Sequence, residues 1–220
     1  MSRVFDCNQP SEREEGIEEA AAALRSGELV VLPTDTVYGV AADAFLPDAV
    51  QALLAAKGRD RSMPVPVLVS SPAMLAALVD QMPEPATALS GEFWPGALTL
   101  VVRHTAHLVW DLGDSRGTVA VRMPANELAQ DLISRTGPLA VSSANRTGHE
   151  PATTAMDARL QLGAAVSVYL DGGSSGGSVA STIIDVTSER PRLLRAGALD
   201  LEALRAVVPD LEVDAGDEAF

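Results

Sequence analysis

Apolar and polar positions change period repeatedly along this chain, and each change marks an element. Ile17, Ala20, Ala21 and Leu24 recur at helical spacing. They lie behind a Ser11/Glu14 pair of capping-box type and ahead of Gly27, which predicts a first helix. Residues 29–32 are a short apolar run stopped by Pro33, Thr34-Asp35-Thr36 is polar, and residues 37–42 are apolar again. That pattern reads as strand, polar turn, strand. Pro47 opens a second helix, with Val50, Leu53 and Leu54 on its buried side and Gly58 at its end. Further strands are expected at 65–69, 97–103, 118–123, 139–142, 166–170, 181–186 and 192–195. Further helices are expected at 72–79, 85–93 and 128–135, from Thr154, and at 199–207. Trp94-Pro95-Gly96 is a turn.

Several of these strands are joined by loops too short for a helical crossover. The pattern therefore predicts an α/β (α+β) fold, a mixed β-sheet with flanking helices, rather than a purely parallel sheet. With 47% apolar and 21% charged residues the chain is globular, and with 4% aromatics its core falls to Ala, Val and Leu. One domain is expected over residues 1–208, followed by an acidic, frayed and solvated tail over 209–220, where Asp210, Glu212, Asp214, Asp217 and Glu218 have no basic neighbour. Cys7 is the single cysteine and cannot form an internal disulfide, which fits a reducing cytoplasm. There is no basic-then-apolar leader pattern. The most apolar long stretch, 65–79, is interrupted by Pro66, Ser70, Ser71 and Pro72, so no membrane span is expected.

Charge sharpens the picture. The formal net charge is -14, yet Lys57, Arg59 and Arg61 fall within five residues at a helix-to-strand junction. Broad, non-specific nucleic-acid binding needs a basic face that this chain lacks, but a local basic pocket is compatible with it. Thr34-Asp35-Thr36, Lys57/Arg59/Arg61, Arg122 and Ser143/Asn145 all fall at predicted element ends, as do Ser181 and Arg195. Element ends are where sheet folds place ligands. The set has many donors and few general acids or bases, which suits an anionic, polyoxygenated ligand.

Sharper signatures are missing. There is no phosphate loop of the Gly-x-x-x-x-Gly-Lys-Ser/Thr type and no Gly-x-Ser-x-Gly elbow. The glycine-rich loop 171–177 reads as a flexible lid or spacer rather than a phosphate cradle. His104 and His107 lack further ligands nearby and read as surface residues, His149 sits in a polar loop, and Cys7 has no activating partner. No metal site is expected from side chains alone.

The motif Leu32-Pro33-Thr34-Asp35-Thr36-Val37-Tyr38-Gly39 resembles the opening signature of the YrdC-like family of threonylcarbamoyl-adenylate synthases. Lys57-Gly58-Arg59 and Ser143-Ala144-Asn145 resemble that family's Lys-x-Arg and Ser-x-Asn motifs. Four more segments look like family segments in the family's order: 93–99, 121–124, 181–185 and 194–197. Together they cover roughly residues 15–200.

The resemblance implies an enzyme that joins L-threonine, bicarbonate and ATP into threonylcarbamoyl-AMP with release of pyrophosphate. Partner proteins then pass the group to tRNA as N6-threonylcarbamoyladenosine. It implies a twisted mixed sheet with a concave basic cavity, as in YrdC/RibB-like folds, and the short form without an additional C-terminal domain. Carried over by motif, Thr34, Arg122 and Ser181 contact threonine. Lys57, Arg59, Thr118, Ser143, Asn145 and Arg195 surround the nucleotide, with Lys57 and Arg59 as the catalytic cations; Mg²⁺ arrives with ATP. Met63 stands where the family often has Asn or Lys, Leu68 lies near a histidine position of long forms, and Pro151 replaces a common serine. Arg61 is an extra cation that could stand in for the missing contact at Met63. Arg59 is expected to face solvent. The alternatives are a non-catalytic RNA-binding module and a paralogous carbamoyl-transfer enzyme.

Overall fold

The computed structural model describes residues 2–177 and 179–213. Ten strands form one sheet in the order β1-β8-β2-β3-β7-β4-β6-β5-β9-β10. In chain order these are β1 (Arg3–Asp6), β2 (Val30–Leu32), β3 (Gly39–Asp43), β4 (Val67–Leu68), β5 (Leu98–Arg103), β6 (Thr118–Arg122), β7 (Leu139–Ser143), β8 (Val168–Asp171), β9 (Thr182–Asp185) and β10 (Arg192–Arg195). Parallel and antiparallel neighbours mix, as the short connections require: β2, β3, β7 and β4 run antiparallel in turn, while β4/β6 and β5/β9 are parallel. The helices are α1 (Pro10–Arg25), α2 (Pro47–Lys57), α3 (Pro72–Leu78), α4 (Glu84–Phe93), α5 (Glu127–Thr136), α6 (Ala155–Leu162) and α7 (Leu201–Val207).

The sheet has a hydrophobic layer on each face. One layer joins Val31, Val40, Val67, Leu98, Leu100 and Val121 to residues of α2, α3, α4, α6 and α7. The other joins Val30, Leu32, Leu68, Leu139, Val141 and Leu170 to α1 and α5. On this second face α1 and α5 cover the sheet's β1–β7 end. The β6–β10 end of the same face instead lines the cavity described below. Strand alternation then decides what the cavity receives: β5 buries Leu98 and Leu100 in the first layer and turns Thr99 and Val101 to the other side.

Four details differ from the sequence pattern. The first helix starts at Pro10, with Gln9 as its N-cap and no side-chain cap, so the Ser11/Glu14 capping box does not form. Proline at the first helical position places Ser11 inside the helix rather than at its cap. The strand β1 is not among the expected elements; it is four residues long and pairs parallel with β8, burying Phe5. The 65–69 strand shrinks to Val67–Leu68 because Pro66 has no N–H and Val65 N donates away from the sheet, to Leu112 O, while Val69 N still donates to Arg122 O of β6 at the strand's end. Residues 209–213 are not frayed: Leu211 is buried, Glu212 bridges Arg192, and Leu193 N donates to Glu212 O at 2.8 Å. The rest of the acidic stretch, 214–220, lies outside the described residues. No helix among the described residues is long and apolar enough to cross a membrane.

Candidate active site

The cavity has a volume of about 640 Å³, within the range of small-ligand sites. Its walls come from the β2–β3 turn, the 59–66 segment after α2, strands β5, β6 and β7, and the β9–β10 edge. Pairing sets its floor. Thr99 lies directly opposite Arg122 on β6 and opposite Ile183 on β9, so these three face the cavity side by side.

Arg122 is the most enclosed of the cavity's cations, at 6% exposure. Its Nε donates to Gly96 O (2.9 Å) and its Nη1 to Thr36 Oγ1 (2.9 Å). Asp35 Oδ1 lies 2.7 Å from Nη2 but off the N–H direction, so Nη2 has a counter-ion and no aligned acceptor. Burial lowers the Arg122 pKa, and the Asp35 carboxylate opposes that shift. Thr34 sits beside it in a tight turn, where its Oγ1 donates to Val37 O (2.7 Å), accepts from Thr36 N (3.1 Å) and lies 3.1 Å from Thr36 Oγ1.

Arg195 reaches in from β10. Its Nε and Nη2 both donate to Ser181 O (3.0 and 2.7 Å), and Nη2 also to Ser181 Oγ (3.1 Å). Ser181 Oγ lies 2.8 Å from Thr99 Oγ1. The Arg195 pKa is lowered by burial and then by the like charge of Arg122. Two arginines thus share one end of the cavity. At the other end Arg59 is half-buried rather than solvent-facing, donating to Ser142 Oγ (3.1 Å) and Pro64 O (3.3 Å) while its Nε is buried without a partner. Burial lowers its pKa as well. One buried donor on each of Arg59 and Arg122 without an aligned acceptor suits an anionic guest, because an unpaired buried N–H is costly.

The structure brings Thr34, Arg59, Thr118, Arg122, Ser143, Ser181 and Arg195 to one cavity surface. It does not bring Lys57 or Asn145 there. Lys57 is 4% exposed, and its Nζ donates to Ser143 O and to Asn145 O (2.7 Å). Asn145 Nδ2 in turn donates to Arg146 O and His149 O (2.9 and 2.7 Å). Both side chains hold the turn after β7, with Ser143 exposed to the cavity in front of them. Burial, and after it the Arg59 charge, pulls the Lys57 pKa down to about 8. Arg61 does not replace a contact at Met63: it pairs with Asp111 on the surface, while Met63 itself lines the cavity. Leu68 and Pro151 also line it.

Thr36 and Thr99, which lie in the matched segments without a role there, are polar lining residues, as are Ser115 and Ser142. For Thr99 the signal was present, since alternation in Leu98-Thr99-Leu100 sets it on the face opposite the core. The 171–177 loop is held down rather than free. Tyr38, fully buried, donates its hydroxyl hydrogen to Gly173 O and accepts from Gly172 N (3.1 Å), and Ser175 N donates to Thr153 O. Tyr38→Phe strands both backbone groups and is expected to cost about 1–3 kcal/mol in urea unfolding, with faster hydrogen exchange at Gly172. Unchanged exchange there would mean that the loop is held by other contacts. Cys7 is buried and its thiol is pushed up to about 11, as expected of an inert cysteine. His107 and His149 are exposed, whereas His104 is half-buried against Trp110.

Residues 22–197 match a family model for Sua5, YciO and YrdC proteins whose description reads "Telomere recombination". A curated protein of Mycobacterium leprae is 53% identical over 94% of each chain. The threonylcarbamoyl-AMP synthase of Bacillus subtilis is 39% identical over 91% of this chain and 58% of its own. A crystal structure of Pyrococcus abyssi Sua5 complexed with L-threonine superposes with a TM-score of 0.86 at 38% identity, covering 90% of this chain and 58% of that one. The chain thus spans under two thirds of the length of the last two relatives and nearly all of the first.

Proposed function

The chain belongs to the YrdC-like family that its motifs resemble, and we propose that it is a threonylcarbamoyl-AMP synthase, a nucleotidyltransferase acting on ATP, L-threonine and bicarbonate. One observation carries the reading: in a chain of net charge -14, Arg59, Arg122 and Arg195 meet a ring of hydroxyls in one 640 Å³ cavity. Two of these arginines have buried donors without aligned acceptors. An RNA-binding module would spread its cations over an open face, whereas these line one pocket, Arg195 being the most exposed of the three.

In this reading the carboxylate of threonine pairs with Arg122, and the hydroxyls of Thr34 and Ser181 fix its polar atoms. The amine, carboxylated by bicarbonate with loss of water, presents a carbamate oxygen to the α-phosphorus. The new O–P bond forms as the bond from the α-phosphorus to the bridging oxygen breaks, and that electron pair leaves with pyrophosphate. Arg59 and Arg195 offset charge on the transferring and departing phosphates, with Thr118 and Ser143 at the nucleotide. Lys57 and Asn145 act behind Ser143. The carbamate is already nucleophilic, so the chain's part is alignment and electrostatics. Mg²⁺ would neutralise phosphate charge; among the described residues the lining holds no carboxylate, so phosphate oxygens and water would hold the ion. The protein would work in the cytoplasm, its catalytic domain taking in residues 1–208 together with the packed segment 209–213, and hand its product to tRNA-threonylcarbamoyl-transfer proteins.

The test is omission. Purified protein is expected to release pyrophosphate with ATP, Mg²⁺, L-threonine and bicarbonate together and to fall to background when threonine or bicarbonate is withheld. Serine, which lacks a methyl group to bury, is expected to lose about 1 kcal/mol or slightly more in kcat/KM. Release independent of threonine, or none with the full set, would overturn the assignment.

A further inference from the structure

Asp35 belongs to the opening motif but does not line the cavity; it stands behind Arg122. One of its oxygens does two things. Oδ1 accepts from Ala125 N (2.9 Å), tying the exit of β6 to the β2–β3 turn, and lies 2.7 Å from Arg122 Nη2. Arg122 is held on three sides: by Gly96 O at Nε, by Thr36 Oγ1 at Nη1 and by Asp35 at Nη2. Asp35 alone of the three carries a charge. It is needed because Arg122 is nearly buried and has the like charge of Arg195 nearby. A guanidinium so placed, without a counter-ion, would be pushed toward water and away from its two neutral acceptors. The carboxylate lies 2.7 Å from Nη2 but off the ideal N–H direction, so what it supplies is chiefly charge.

We propose that Asp35 is a positioning residue that orients Arg122 for the substrate's α-carboxylate and so sets affinity for the amino acid separately from affinity for ATP. This rests on the reading that Arg122 binds the threonine carboxylate. Asp35→Asn is the sharp variant, because its amide oxygen keeps an acceptor for Ala125 N while the charge is lost. Thr36→Val is the second, removing the Nη1 acceptor and leaving Asp35 intact.

Steady-state pyrophosphate release is measured for wild type, both variants and Arg122→Lys, with thermal unfolding alongside. The expected result is a roughly tenfold rise in KM for L-threonine in Asp35→Asn and a smaller rise in Thr36→Val. KM for ATP and kcat should stay within about threefold of wild type. A KM for threonine unmoved in Asp35→Asn, while Arg122→Lys raises it, would overturn the positioning role and leave the Arg122 reading intact. Equal rises in both KM values with a lowered melting temperature would make Asp35 structural and overturn it too. If Arg122→Lys also left the threonine KM unchanged, the underlying reading would fail and the inference with it.

Discussion

Arg122→Ala is expected to lower threonine-dependent pyrophosphate release on the order of 100-fold or more, the largest single loss anticipated in this protein. The cause is twofold. In the proposed reading the substrate carboxylate loses a deeply buried cationic partner, and Asp35 is left as a carboxylate without its counter-ion. Breaking a buried pair by removing one member costs about 3–5 kcal/mol of stability, so lost activity must be separated from lost fold. The double variant Asp35→Asn/Arg122→Gln does this: with no charge left unpaired, it is expected to regain most of the stability in urea titration and none of the activity. Recovery of activity in the double variant would show that Arg122 matters only by neutralising Asp35.

The sequence exposed the cavity's ingredients better than their roles. Pro47, Gly58, Pro72 and the 98–103 alternation were enough to place α2, α3 and β5, because proline, glycine and period-2 burial act locally. The strand β1 was out of reach, since four residues gain their strand geometry only from β8, far along the chain. Gly197 shows the same limit at the site. It was visible as the last residue of a motif, but its reason is tertiary: a Cβ there would lie 2.4 Å from Thr182 N, against the start of β9 and the adjoining Ser181. Convergence of Arg59, Arg122 and Arg195 could be expected from their positions at element ends. That Thr36 and Asp35 would hold Arg122 from behind could not, since it depends on the β2–β3 turn meeting the exit of β6.

Lys57 departs furthest from its motif, and its replacement is the second large effect expected. A cation in a Lys-x-Arg pair reads as a phosphate ligand, but this one points its ammonium at Ser143 O and Asn145 O inside the protein. Lys57→Met keeps the side chain's length and apolar stem while stranding two buried carbonyls, a loss of about 3 kcal/mol at high pH. The loss should depend on pH in a definite direction. In the folded protein the amine gives up its proton near pH 8, against an ordinary value of 10.5. Between those values the unfolded chain binds more protons than the native one, so wild-type stability gains from this group as pH rises through that window. Below pH 8 the wild type bears the cost of a buried charge, which methionine does not. Urea titrations at pH 7 and pH 10 should therefore show a gap between wild type and Lys57→Met that widens at pH 10 by about 2 kcal/mol or more. Taking the difference between the two proteins removes the contributions of Tyr38 and Cys7, whose raised pKa values act in the opposite sense at alkaline pH. A gap that stayed constant would show that the amine does not titrate there. A small gap at both pH values, joined to a large rise in KM for ATP, would return Lys57 to the phosphates.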